Sequence, residues 1–195
     1  MQSALTVHDW PTSVNQLKLD EGLLVIALRT SAKTSRPEAR LQIRETLHKV
    51  LAMLLKCDVG EVQLLSQQGK PLTLLNPALN IGLSISHEIG LSLAAINMNG
   101  AVGIDLMSLN NMPALNEIHS LATDYLGSTI AQQLASLSAN LQTNAFAKAW
   151  TAFESRLKCG DIALTEWNEA AEIHLAQYTY KDLMLPDGYI GTVAF

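Results

Sequence analysis

At 195 residues with 48% apolar side chains, the chain has the composition of a folded globular protein, in one domain or two small lobes. Its net charge of −5 argues against a nucleic-acid binder of the usual basic kind, and no apolar run approaches the length of a bilayer span. The charge is uneven: residues 1–98 carry nine Lys/Arg against eight Asp/Glu and residues 99–195 four against ten, so the halves stand at +1 and −6.

The first stretch, Met1 to Leu19, resists assignment; His8-Asp9-Trp10-Pro11 reads as a turn or edge segment. It has no cationic region followed by an apolar run, so no secretory signal is expected. Cys57 and Cys159 lie far apart without metal-ligand spacing, which suits free thiols in a reducing cytoplasm. Leu23 to Arg29 reads as a strand. Ser35-Arg36-Pro37-Glu38 has the spacing of a capping box, and a helix to about Lys56 follows with Ile43, Leu47, Val50, Leu51 and Leu54 on one face. Arg36, Arg40 and Arg44 repeat every four residues along another face, as a solvated basic stripe or a phosphate grip. Glu61 to Ser66 reads as a strand, and Gln67-Gln68-Gly69-Lys70-Pro71 as a turn.

Ser84 to Asp105 reads as strand, turn, strand, turn, strand: Leu83 to Ser86, Leu91 to Asn97, and Ala101 to Leu106. Antiparallel pairing would bring the His87 imidazole towards the Asp105 carboxylate. From Pro71 to Ala147 there is no Lys or Arg, so an anion near His87 must be held by that imidazole, backbone amides, a metal, or cations folded in from the flanks. Leu115 to Leu126 and Ser128 to Leu137 read as helices broken at Gly127, and a long helix from about Leu141 to Lys158 ends at Gly160. That helix places Phe146, Trp150, Phe153 and Leu157 on a buried stripe, with Glu154 and Lys158 on a neighbouring face. Glu172 to Tyr178 alternates as a strand would, Pro186-Asp187-Gly188 marks a turn, and Tyr189 to Phe195 reads as a last strand. Taken singly, Glu154 and Lys158 read as a solvated ion pair, His87 as a core or turn histidine, and Asp105 as a strand-end cap.

In combination, Gly69-Lys70-Pro71, Ser84-Ile85-Ser86-His87, Gly103-Ile104-Asp105 and Trp150 to Gly160, set against a Trp-x-x-Lys-Glu-x-x-x-Lys pattern, resemble the 4′-phosphopantetheinyl transferases of the two-lobed type. The resemblance covers about residues 37–195. It departs at three positions: Met107 stands where a second acid usually follows the Asp, Phe153 replaces the Lys before Glu154, and Glu88 follows His87 where Ser is common. The resemblance implies an α+β fold of two similar lobes, residues 1–98 and 99–195, each an antiparallel sheet packed with helices, with the active site at their interface. It implies transfer of the phosphopantetheine arm of coenzyme A to a serine of an acyl or peptidyl carrier protein in the cytoplasm, with no nucleic-acid or membrane partner. Asp105 and Glu154 would hold Mg²⁺, with Glu154 also the base. Ser86 and His87 would contact a phosphate, Lys158 would offset pyrophosphate charge, and Arg40, Gly69, Lys70 and Pro71 would serve the nucleotide. A non-catalytic coenzyme A or carrier-protein binder, and a metal-dependent phosphohydrolase using His87, Asp105 and Glu154, stand as alternatives.

Overall fold

Two strands buried on both faces, β3 (Leu23–Arg29) and β7 (Leu91–Asn97), are the centre of the molecule. Their residues are apolar almost without alternation, because each face meets a different layer. The computed structural model describes residues 4–67 and 70–195. Its architecture is α+β, with two sheets and five α-helices among the described residues.

The first sheet contains β2 (His8–Trp10), β3, β7, β6 (Gly82–Glu88), β5 (Leu72–Asn76) and β4 (Gln63–Leu65), hydrogen-bonded in that spatial order. One face packs on α1 (Arg36–Leu55), whose Ile43, Leu47, Val50 and Leu51 meet Leu24, Ile26, Ala94 and Ile96. The start of α1 is fixed as its sequence predicts: Ser35 and Glu38 form both halves of a capping box, and Pro37 lies in the first turn.

The second sheet orders β1 (Leu5–Thr6), β9 (Tyr180–Met184), β10 (Tyr189–Ala194) and β8 (Gly103–Ser108). Its inner face, with Leu5, Ile104, Leu106, Leu183 and Val193, covers the other face of β3 and β7 at Leu23, Val25, Leu91, Leu93 and Ala95. Helix α4 (Ala139–Cys159) lies across β8 and β10, and the Thr151 and Thr192 hydroxyls meet at 2.9 Å between helix and strand. Phe146, Phe153 and Leu157 of α4 form a third core with α2 (Leu115–Leu121), α3 (Ser128–Ala135) and α5 (Glu169–Leu175). A π-helical turn, Ala122–Leu126, extends α2 to Gly127, whose φ of +86° suits the break.

Three sequence expectations are corrected. The sheets are mixed rather than wholly antiparallel, since β2 pairs with β3 and β1 with β9 in parallel. Residues 83–106 do not form one three-stranded meander: β6 and β7 pair, but after Gly100, at φ +152°, the chain leaves that sheet and β8 pairs with β10. The alternating stretch Glu172 to Tyr178 is no strand. Its first part is α5, capped by the Asn168 side chain accepting from the Ala171 amide at 2.9 Å, and the strand follows as β9. Ile173, which suggested alternation, is 68% exposed and has no core to face.

Candidate functional site

Strand alternation divides the chemistry of β6. Leu83, Ile85 and His87 face α1, whereas Ser84, Ser86 and Glu88 face β8. The Ile104 amide donates to Ser84 Oγ at 3.0 Å, and Ser86 Oγ donates to Asp105 Oδ1 at 3.1 Å. So β6 and β8, in different sheets, are joined through side chains rather than a backbone ladder. It is Ser86, not His87, that touches Asp105.

From α4, Lys158 Nζ donates to Asp105 Oδ1 at 2.6 Å and to the Ile104 carbonyl at 3.1 Å. The expected i, i+4 pair with Glu154 is not among the ion pairs of the described residues; the 11% exposed Asp105 side chain is the better partner because less water competes for it. Both polar contacts fall on Oδ1. Glu154 is half-buried in the same place, and its carboxyl is held above the usual carboxylate range by burial and then by the Asp105 charge, with Lys158 opposing.

His87 Nδ1 lies 3.0 Å from the Ser92 hydroxyl, while its Nε2 is buried without a hydrogen-bond partner among the described residues. Burial, followed by the charges of Arg40, Arg36, Lys158 and Arg44, lowers its pKa to about 4, so the ring is neutral at pH 7. Arg44 donates to Ser66 at 2.7 Å, and its Nε is also buried without a described partner.

These groups line one cleft of about 780 Å³. Arg36, Arg40, Arg44, Lys70 and His87 bring nitrogen atoms to it; Asp105, Glu154 and Glu88 bring carboxylates; Ser86, Lys158, Met107 and Trp150 also line it. Thus the structure gathers Arg40, Lys70, Ser86, His87, Asp105, Glu154 and Lys158 from five separate elements and turns. Pro71 lines a neighbouring cavity of about 250 Å³ that shares Lys70 and Lys158 with the cleft. Gly69 lies outside the described residues. Lys70 also pairs with Asp161 at 3.1 Å, with both side chains well exposed.

The three departures from the family pattern do not stand alike. Phe153 points into the third core, 6% exposed and edge-on to Trp150, so it changes packing rather than the cleft. Met107 and Glu88 both line the cleft. Sequence reasoning missed Ser92, and it placed Trp150 on a buried stripe although that side chain also lines the cleft. The signal for Ser92 was a lone hydroxyl within the apolar run Leu91 to Ile96, directly opposite His87 in the β6–β7 register.

Among the described residues, no three His, Cys, Asp or Glu side chains are gathered to hold a metal ion by themselves. The Glu154 carboxyl senses the Asp105 charge, and the two side chains offer hard oxygens, which fits an ion such as Mg²⁺ that keeps waters and shares substrate oxygens. Cys57 and Cys159 are free, and burial pushes the Cys159 thiol up to about 11. No helix among the described residues is long and apolar enough to cross a membrane. No protein-family model matches the chain, and no curated protein matches it in sequence.

Proposed function

We propose that this chain is a two-lobed 4′-phosphopantetheinyl transferase that moves the phosphopantetheine arm of coenzyme A to a serine of an apo-carrier protein. The observation that carries the reading is the cleft itself: an arginine row and a neutral imidazole adjoin a carboxylate pair crossed by one lysine. A ligand suited to it has several phosphates and a reacting phosphorus near the acids. In this reading the lobes are residues 1–98 and 99–195, apart from β1, which joins the second sheet, and the cleft between β6, β8, α1 and α4 is the active site.

The arginines and Lys70 take the nucleotide end, since guanidinium forks match phosphate oxygens. His87 and Ser86 contact a phosphate near the reacting phosphorus. The carrier serine oxygen forms the new bond to the phosphorus bearing the arm, and the bond to the ADP-side bridging oxygen breaks with its electron pair leaving on 3′,5′-ADP. Glu154 takes the serine proton, and its raised proton affinity brings it closer to working pH. Lys158 lies within the cleft to offset charge on the leaving group. When bound by Asp105 and Glu154, Mg²⁺ would neutralise the pyrophosphate oxygens.

Mass spectrometry of an apo-carrier protein incubated with the chain, coenzyme A and Mg²⁺ tests this. A gain of one phosphopantetheine arm is expected. Coenzyme A binding with no modification on several carriers would instead favour a binding paralogue, and phosphate release without a protein acceptor would favour a phosphohydrolase.

A further inference from the structure

The free edge of β8 opens onto the cleft. β8 is the last strand of the second sheet and pairs with β10 on one side only. In an antiparallel pair, residues alternate between turning both N–H and C=O towards the partner strand and turning both away from it. Ile104 turns away: its amide donates to Ser84 Oγ at 3.0 Å, and its carbonyl accepts from Lys158 Nζ at 3.1 Å. Leu106, two residues on and opposite Gly191, therefore has the same outward aspect. Its side chain is packed in the second core, so what Leu106 brings to the cleft lining is backbone.

At Ile104 both edge groups are taken by side chains; at Leu106, among the described residues, no side chain takes either. Ser86, the next residue after Ser84 on the face towards β8, donates its hydroxyl to Asp105 instead. Peptide groups at such an edge are a template for another extended chain. The chemistry differs from that of the arginine row. Arg36, Arg40 and Arg44 offer donors only, as phosphate oxygens require. Leu106 offers one donor and one acceptor beside the Asp105 carboxylate, which suits an amide better than an anion.

Resting on the transferase reading, we propose that the Leu106 edge binds the amide-bearing arm of coenzyme A as a short added strand. The Leu106 N–H donates to an arm carbonyl, and the Leu106 carbonyl accepts from an arm N–H. The arm is a linear chain with two amides, so it can supply both partners. Leu106 adjoins Asp105 as the arm adjoins the reacting phosphorus. The edge thus selects for what lies beyond that phosphorus, and the arginine row for the nucleotide before it.

The test follows amide hydrogen exchange by nuclear magnetic resonance in the full chain carrying isotope-labelled leucine, with Mg²⁺ present. Leu93, inside the β6–β7 ladder, serves as the reference amide. Coenzyme A is expected to slow exchange at Leu106 by about tenfold, the protection that one hydrogen bond confers. Saturating 3′,5′-ADP, which lacks the arm, should leave it unchanged, as should a coenzyme A analogue whose arm amides are replaced by methylenes. Equal protection by that analogue, by 3′,5′-ADP or by the apo-carrier alone would give the edge to another group and overturn the inference. So would coenzyme A that binds by calorimetry while exchange at Leu106 stays as it was; the transferase reading survives that result. A chain that binds no coenzyme A overturns the transferase reading and this inference with it.

Discussion

The neutral imidazole of His87 ties the cleft's electrostatics to stability. Its folded pKa of about 4 lies below the ordinary 6.5, so between those values the unfolded chain binds a proton that the folded chain refuses. Stability from this group is therefore complete above pH 6.5 and lost as pH falls towards 4. Glu154 and Glu88 act in the opposite sense: their raised values make their ionised forms a cost that shrinks as pH falls. The expected outcome is that His87→Gln loses less thermal stability than the parent as pH falls from 6.5 to 4; equal slopes in the two proteins would remove the buried-imidazole account. At this scale the identities of Ser86, His87, Asp105, Glu154 and Lys158 were legible as a pattern, but their partners were not. Ser86 and His87 fall on opposite faces of one strand, and Lys158 reaches across to another sheet, so pairing depended on packing that spacing cannot encode.

Among the elements, α1 and α4 form the walls of the cleft, and each makes a prediction. The arginine row of α1 lines the cleft although Arg36 and Arg40 remain exposed, so on the transferase reading Arg40→Gln should raise the KM for coenzyme A by about tenfold while kcat stays within a factor of two, the split expected for uniform binding. Equal KM values in a steady-state assay would return the row to a solvated face. Helix α4 approaches β8 so closely at Gly103 that an added Cβ would overlap the Ser155 carbonyl and the Cys159 amide. Those are backbone atoms and cannot rotate aside. Gly103→Ala should cost about 1–3 kcal/mol in urea unfolding and lower kcat/KM, because the helix that shifts carries Glu154 and Lys158; unchanged values of both would show that α4 yields freely. The helices announced themselves through caps and apolar stripes, as at Ser35 and Phe146. By contrast, α5 and β9 were confused because a seven-residue helix holds too few turns for its period to stand out against alternation.

For the molecule as a whole, the continuous apolar character of Leu91 to Ile96 was visible in the sequence, but the reason for it was not: β7 is sandwiched between α1 on one side and the second sheet on the other. Leu93 is fully buried against that second sheet, so Leu93→Ala should cost about 2–5 kcal/mol, with the midpoint of a single urea transition shifting accordingly. Two separate transitions would mean that the sheets unfold independently. Closing the second sheet also joins distant parts of the chain, since Leu5 pairs with Leu183 while Val193 pairs with Ile104. On the ribosome this sets an order of events. The strands and helix of the first sheet all lie within residues 8–97, whereas the layer that covers Leu23, Val25 and Leu93 needs β10. At about 5–20 residues per second, the remaining stretch takes roughly 5–20 seconds to synthesise. Throughout that interval the nascent chain presents a wide apolar surface, the kind of surface that holding chaperones bind, and Leu5 waits for a partner strand that has not yet been made.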